Sequence, residues 1–247
     1  MEANRLIFPS GLKQPLNGFK FSVDSIFLSC FVSVKNKDKI MDLGCGCGVI
    51  SFGILLKNKD KDIKIWGVDS DKEMIRCAQI NANQLKLNDS FHPMLLDLRE
   101  IKKCNTFGAE EFSIVVMNPP YRNTESGRLS PIIEKNMARF EQQATLEDFI
   151  SIATYLLKNK GKLYIVYLSE RINYLFSLLK TYNLSPRRIR FIHGNINKIS
   201  KIFLLECIKN SNPQLIVDPP LIQYELNKGK NIYTKMALDF CPFFRNI

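Results

Sequence analysis

The tetrapeptide Asn118-Pro119-Pro120-Tyr121 is the most chemically specific stretch of the sequence. An aromatic or amide NH2 is a poor nucleophile because its lone pair is delocalised. The Asn118 side-chain oxygen and the Pro119 carbonyl can each accept one N–H from such a group, which drives its nitrogen toward tetrahedral geometry. Pro119 and Pro120 stiffen the turn, so both acceptors are pre-organised. Tyr121 offers a face on which a planar group, extruded from its surroundings, can stack. Asn118, Pro119, Pro120 and Tyr121 are therefore the candidate catalytic residues, for group transfer to an amino nitrogen. That chemistry requires no metal and no strong general base. The bland alternative is a proline turn after a strand, and Asp218-Pro219-Pro220-Leu221, which lacks the aromatic platform, is read as one.

A second constellation decides which group is transferred. Asp42-Leu43-Gly44-Cys45-Gly46-Cys47-Gly48 follows a strand-like run and opens a helix-like one. Glycines suit a tight turn on which a cofactor packs against bare backbone. A Gly-x-Gly-x-Gly loop alone does not separate this reading from dinucleotide binding. Three acids do. Asp42 precedes the first glycine, where a carboxylate repels a pyrophosphate but suits the ammonium of a methionine moiety. Asp69 ends the next strand, roughly 20 residues beyond the loop, at the spacing of a carboxylate gripping ribose hydroxyls. Asp97 follows the apolar run Met94-Leu95-Leu96, where it can accept from an adenine amine. Each acid alone reads as a helix cap; their order and spacing together point to S-adenosylmethionine. The candidate cofactor-binding residues are Asp42, Gly44, Cys45, Gly46, Gly48, Asp69, Ser70, Asp97 and Leu98, with Asn118 adjoining.

Alternating elements must position these groups. Lys39–Leu43, Ile63–Val68, Phe112–Met117 and Gly161–Tyr167 read as buried strands. Gly48–Leu56, Lys72–Leu85 (capped by Ser70 or Asp71), a helix opened by the capping box at Thr145–Asp148 and running to Leu157, and Arg171–Thr181 read as helices. Arg188–His193 and Lys201–Cys207 read as two further strands. This alternation predicts an α/β fold of the Rossmann-like kind: a mostly parallel seven-stranded sheet with one antiparallel edge strand and helices on both faces. Ligands of such sheets sit at the C-terminal strand ends. The expected organisation is one domain: an N-terminal extension over 1–36 with a helix starting near Ser22-Val23-Asp24-Ser25, a core over 37–210 and a C-terminal extension over 211–247.

Bulk composition adds a partner. The 247 residues carry 35 Lys+Arg against 24 Asp+Glu, a net charge of +11. Such an excess fits a polyanion, although lysine-rich runs such as Lys35-Asn36-Lys37 also fit a merely basic composition. Arg122 and Arg128 flank the catalytic turn, and Arg187, Arg188 and Arg190 form a cluster; these five are the candidate RNA-binding residues. The seven cysteines include no Cys-x-x-Cys spacing, so reduced thiols and no metal site are expected. There is no apolar leader and no run of about 18 apolar residues. The expectation is a soluble, cytoplasmic monomer with no membrane partner.

From Lys39 to Tyr167 the chain resembles class I methyltransferases. Within them it resembles the bacterial tRNA1(Val) adenine N6-methyltransferase family. The resemblance rests further on Gly18-Phe19-Lys20-Phe21-Ser22-Val23-Asp24-Ser25, Gly127-Arg128-Leu129-Ser130-Pro131, Ala138-Arg139-Phe140-Glu141, Pro219-Pro220-Leu221-Ile222 with Tyr224, and Tyr233-Thr234. Phe140 departs from the family's usual His. The resemblance implies methylation of the N6 amine of the adenine 3′ of a valine-tRNA anticodon, with Asn118 to Tyr121 as its catalytic turn. The competing expectations are a release-factor glutamine amide methyltransferase, a ribosomal RNA guanine N2-methyltransferase, and a non-catalytic RNA-binding protein on the same fold. The first lacks its N-terminal helical recognition domain here; the second more often has Phe at Tyr121; the intact Asn118 and acids oppose the third.

Overall fold

The computed structural model describes residues 7–16, 20–104, 106–121, 144–227 and 229–246. Its main sheet is built on β1 (Lys39–Leu43), flanked by β2 (Lys64–Asp69) and β4 (Phe112–Met117), with β3 (Phe91–Leu95) and β5 (Leu157–Leu168) outside them. All five run parallel. Successive side chains of β1 alternate between faces: Ile40 joins one core and Met41 and Leu43 the other. Both sets are apolar because helices cover both faces, the usual state of a parallel sheet. α1 (Val23–Phe31), α2 (Val49–Lys57) and α3 (Lys72–Leu85) bury Phe27, Phe52 and Ala78 against the Ile40 face. α4 (Leu146–Leu156) and α5 (Ile172–Thr181) bury Ile150 and Leu175 against the other. Truncating one such core residue, as in Ile165→Ala, costs about 2–5 kcal/mol.

Local chemistry sets the helix starts. Asp71 caps α3, its carboxylate accepting from the Glu73 and Met74 amides at 2.8 and 3.3 Å. The Thr145–Asp148 capping box closes in both directions at the start of α4. Ser22 occupies the N-cap position of α1 but makes no side-chain cap bond; its hydroxyl serves the Asp24 carboxylate instead.

The mostly parallel sheet with helices on both faces is as expected, but its antiparallel strand is not at the edge. β6 (Leu184–His193) and β7 (Ser200–Lys209) form a hairpin, and the returning β7 inserts between β5 and β6. The sheet order is β3-β2-β1-β4-β5-β7-β6-β8. The outer side of β6 then pairs in parallel with β8 (Ile216–Val217) and β9 (Leu221–Ile222). Two-residue strands carry no period, so these additions leave no pattern to read. Asp218-Pro219-Pro220 is the turn between them, with the Asp218 amide donating to Ile189 O at 2.8 Å.

The chain then forms a hairpin, β10 (Tyr224–Asn227) with β11 (Lys230–Tyr233), and α6 (Lys235–Phe240). It packs against the outward side of α1. Phe244 lies edge-on to Phe27 at 4.7 Å and stacks on Tyr233 at 4.6 Å. Phe243 meets Phe8 at 4.7 Å, and Asn246 donates to Phe8 O. α1 is thus held between the sheet and the C-terminal segment.

Candidate active site

The glycine loop leaves β1 at Leu43 and turns back on β2. The Gly44 and Cys45 amides both donate to Val68 O, at 2.9 and 3.0 Å. Gly44, Gly46 and Gly48 have φ of +71°, +53° and +90°, a region that L side chains avoid. At Gly48, which caps α2, a Cβ would also lie 2.5 Å from the Phe52 ring. Cys45 packs on bare backbone of β2: a Cβ at Gly67 would sit 2.9 Å from it. Burial pushes the Cys45 and Cys47 thiols up, Cys47 to about 12, so neither is a nucleophile at neutral pH. Asn81 of α3, fully buried, donates to Cys47 O at 3.1 Å and brackets the Lys13 backbone with its amide.

The three acids stand around this loop. Asp42 is fully buried on β1; its Oδ2 accepts from the Ser51 hydroxyl at 2.6 Å, while Oδ1 is buried without a partner. Burial, with a smaller push from Asp69, raises its carboxyl to about 7. A buried, half-satisfied carboxylate below a glycine turn suits a cation, and the ammonium of S-adenosylmethionine supplies one. Asp69 accepts from the Gly46 and Asp71 amides, each at 2.9 Å. Burial raises its carboxyl despite those bonds. Each of its oxygens keeps a further lone pair for a ribose hydroxyl. Ser70 follows it at the strand end.

Asp97 lies two residues beyond β3, capping a 3-10 turn over Leu98–Glu100, with Leu98 buried beneath. Its carboxylate is gripped by Arg99, whose Nε donates at 3.0 Å and whose backbone amide donates at 2.9 Å. The Arg99 bond is the main reason its carboxyl sits below the ordinary range. The residue expected to meet an adenine amine is therefore also the anchor of an arginine two positions on.

The catalytic turn leaves β4 at Met117. Asn118 donates its amide NH2 to Ser25 Oγ of α1 at 2.9 Å. With the nitrogen end engaged, Oδ1 is the end left to accept. Pro119 is buried and Pro120 exposed. The Tyr121 hydroxyl donates to Asp24 Oδ2 at 3.3 Å, and its ring meets Tyr167 edge-on at 5.8 Å. Burial raises both the Asp24 carboxyl and the Tyr121 hydroxyl, and Asp24 reinforces the latter. The first turn of α1 thus holds both side chains of the turn.

Asp24 and Ser25 are absent from the residues singled out for chemistry in the sequence, where they mark only a helix start and a family signature. The contacts span 93 and 97 residues, and no local pattern announces them. Arg122 and Arg128 lie outside the described residues. Arg187 turns away, donating to Gln214 O at 2.9 Å, whereas Arg188 and Arg190 line one cavity beside α1. Among the described residues no cluster of His, Cys, Asp or Glu could hold a metal ion, and no helix is long and apolar enough to cross a membrane.

Comparison with known proteins bears on the fold and the family. A predicted O-methyltransferase from Agrobacterium tumefaciens superposes with a TM-score of 0.70 at 18% identity, over 90% of this chain and 96% of its own; that likeness shows the fold. A tRNA1(Val) (adenine(37)-N6)-methyltransferase of Haemophilus influenzae is 26% identical over 93% of this chain and 94% of its own length. One from Dyadobacter fermentans is 23% identical over 87% and 86%. The model of the methyltransferase small domain matches residues 22–183, which take in the glycine loop, all three acids, the catalytic turn and α1. The chain belongs to the methyltransferase small domain family.

Proposed function

We propose that this protein methylates the N6 amine of an adenine in tRNA, the adenine 3′ of the anticodon of a valine tRNA, with S-adenosylmethionine as donor. The observation that carries the reading is the orientation of Asn118: Ser25 holds the NH2 end of its amide at 2.9 Å and leaves the oxygen to accept an N–H. The names of the curated relatives, which align over nearly the whole chain, support the substrate.

Asp42, Gly44, Cys45, Gly46, Gly48, Asp69, Ser70, Asp97 and Leu98 would hold the cofactor, with Asn118 adjoining it. Bound there, it supplies a methyl group on a sulfonium, whose sulfur leaves as a neutral thioether. Asn118 Oδ1 and Pro119 O each accept one N–H of the adenine amine, so its lone pair points at the methyl carbon. Held so, the amine would form its C–N bond as the C–S bond breaks and give up its surplus proton to water. Tyr121, fixed by Asp24, stacks on the flipped base. Asp24 and Ser25 act through these two side chains as positioning residues. Arg122, Arg128, Arg188 and Arg190 contact phosphates, and the protein works as a cytoplasmic monomer.

Mass analysis of tRNA nucleosides from cells lacking the protein tests this, with labelled cofactor, purified protein and total tRNA as the reconstituted arm. Loss of N6-methyladenosine at one tRNA position, restored by the wild type and not by Asn118→Ala, is expected. Label in protein alone, or none, overturns the assignment.

A further inference from the structure

We propose that a cavity of about 340 Å³ on the α1 side of β6 is a phosphate socket that seats a backbone phosphate of the RNA substrate away from the methylated base. The inference rests on the tRNA reading above and adds to it a particular site. The cavity lies where the C-terminal end of α1, the end of α2 and the middle of β6 meet. α1 runs from the catalytic turn at Ser25 to this cavity at Phe31, about 9 Å along the helix.

Lys57, Lys61, Arg188 and Arg190 line it against a single acid, Asp218. Three of these cations are fixed by carbonyls at the end of α1: Lys57 donates to Cys30 O, Arg188 to Phe31 O at 3.0 Å and Lys61 to Val34 O at 3.1 Å. Neutral carbonyls hold the cations in place without cancelling their charge, and each cation keeps further donors. Asp218 lies 3.7 Å from Arg188, which also lies 3.7 Å from Glu206. Among the described residues, Lys57, Lys61 and Arg190 have no ion-pair partner.

Arg190 is the most exposed to this imbalance. Its side chain makes no hydrogen bond among the described residues, and its guanidinium lies 4.6 Å over the Phe240 ring. Arg188 lies 4.2 Å over Phe31 in the same manner. Nε of both arginines is buried without a hydrogen bond. Two guanidinium groups set over aromatic rings and lining one cavity offer planar, charged donors that match the oxygens of a phosphate. Burial, reinforced by Arg188 and opposed by Asp218, holds the Arg190 guanidinium below its ordinary range, and an anion would relieve that. The arginine cluster read from the sequence thereby divides: Arg188 and Arg190 share the socket, and Arg187 does not.

The test is anisotropy of a labelled valine-tRNA transcript with wild type, Arg190→Gln, Arg190→Lys and Lys61→Gln, between about 50 and 200 mM salt. Arg190→Gln should weaken binding about tenfold at the low-salt end and flatten the salt slope by about 0.7–1, the share of one phosphate contact. Arg190→Lys should keep the slope and lose part of the affinity. Lys61→Gln is an independent second variant with the same direction. Equal melting temperatures and unchanged S-adenosylmethionine affinity show that each variant is folded. Wild-type affinity and slope in both Gln variants overturn the proposal. So does a result in which inorganic phosphate raises the melting temperature of the wild type but not of Arg190→Gln while RNA binding is unmoved, since the socket would then take a free phosphate. If the wild type itself fails to bind tRNA, the tRNA reading has failed and the socket falls with it.

Discussion

Ser25→Ala is the most direct probe of the catalytic turn. It deletes one neutral hydrogen bond, from the Asn118 amide to a serine that is 5% exposed. Such a bond contributes about 0.5–1.5 kcal/mol net. At 1.36 kcal/mol per decade, that loss slows the step about 2- to 12-fold if all of it falls on the transition state. The direction follows from geometry: with Oγ gone, the amide can rotate and present its NH2 to the substrate amine, donor against donor. Asn118→Ala removes the acceptor itself and should cost about 10²–10³ in kcat, as does losing one pre-organised partner elsewhere. The two losses should not add, because Ser25 acts only through Asn118. The assay is single-turnover methylation of the tRNA transcript by wild type, both single variants and the double variant, with cofactor affinity measured separately by calorimetry. The single-turnover rate constant should fall about 2- to 12-fold in Ser25→Ala, with cofactor affinity unchanged and partial rescue in Ser25→Thr. In the Asn118→Ala background the second change should do nothing. A full further loss in the double variant, or the wild-type rate constant in Ser25→Ala, refutes the reasoning.

Three further expectations follow from the same site. Asp42 holds its proton to about pH 7 in the folded chain against about 4 unfolded, so the native state binds more protons in that window and stability falls as pH rises through it. Asp42→Asn should therefore melt higher than wild type at pH 8, with the gap closing toward pH 4, and should lose cofactor affinity. Cofactor binding to the wild type near pH 6 should release up to one proton, read as buffer-dependent calorimetric heat; no release would contradict an ammonium at Asp42. Gly48→Ala forces a Cβ to within 2.5 Å of Phe52 at a φ of +90° and should cost more than about 1 kcal/mol in thermal or urea melts. Tyr121→Phe keeps the ring and loses only the Asp24 bond, so it should be mild, whereas Tyr121→Ala removes about 1–3 kcal/mol of stacking and should raise KM for tRNA.

The parts of this molecule that were legible in its sequence are those written in local spacing. The glycine loop, the Asp71 cap, the Thr145 capping box and β4 each depend on residues within a few positions of one another. The positions of Asp42 and Asp69 followed because strand ends fix them. What escaped is long-range. Nothing near Asp24 or Ser25 says that they will meet residues 97 and 93 positions away. The Arg99 grip on Asp97 is local, yet Asp97 alone reads equally as a cap, and it is one. The place of β7 depends on which strand of the hairpin pairs with β5, which alternation does not encode. The arginines of β6 were visible as a charge cluster, but only the pleat and the bulge after Pro186 sort Arg188 and Arg190 from Arg187.

The aromatic clasp of Phe244 on Phe27 and Phe243 on Phe8 ties the C-terminal segment to the helix that holds the catalytic turn. The cofactor loop rests on β1, β2 and α3, whereas α1 is backed from outside by Phe240 and Phe244 on Phe27, so loosening that backing should disturb the aim of Asn118 while sparing the glycine loop.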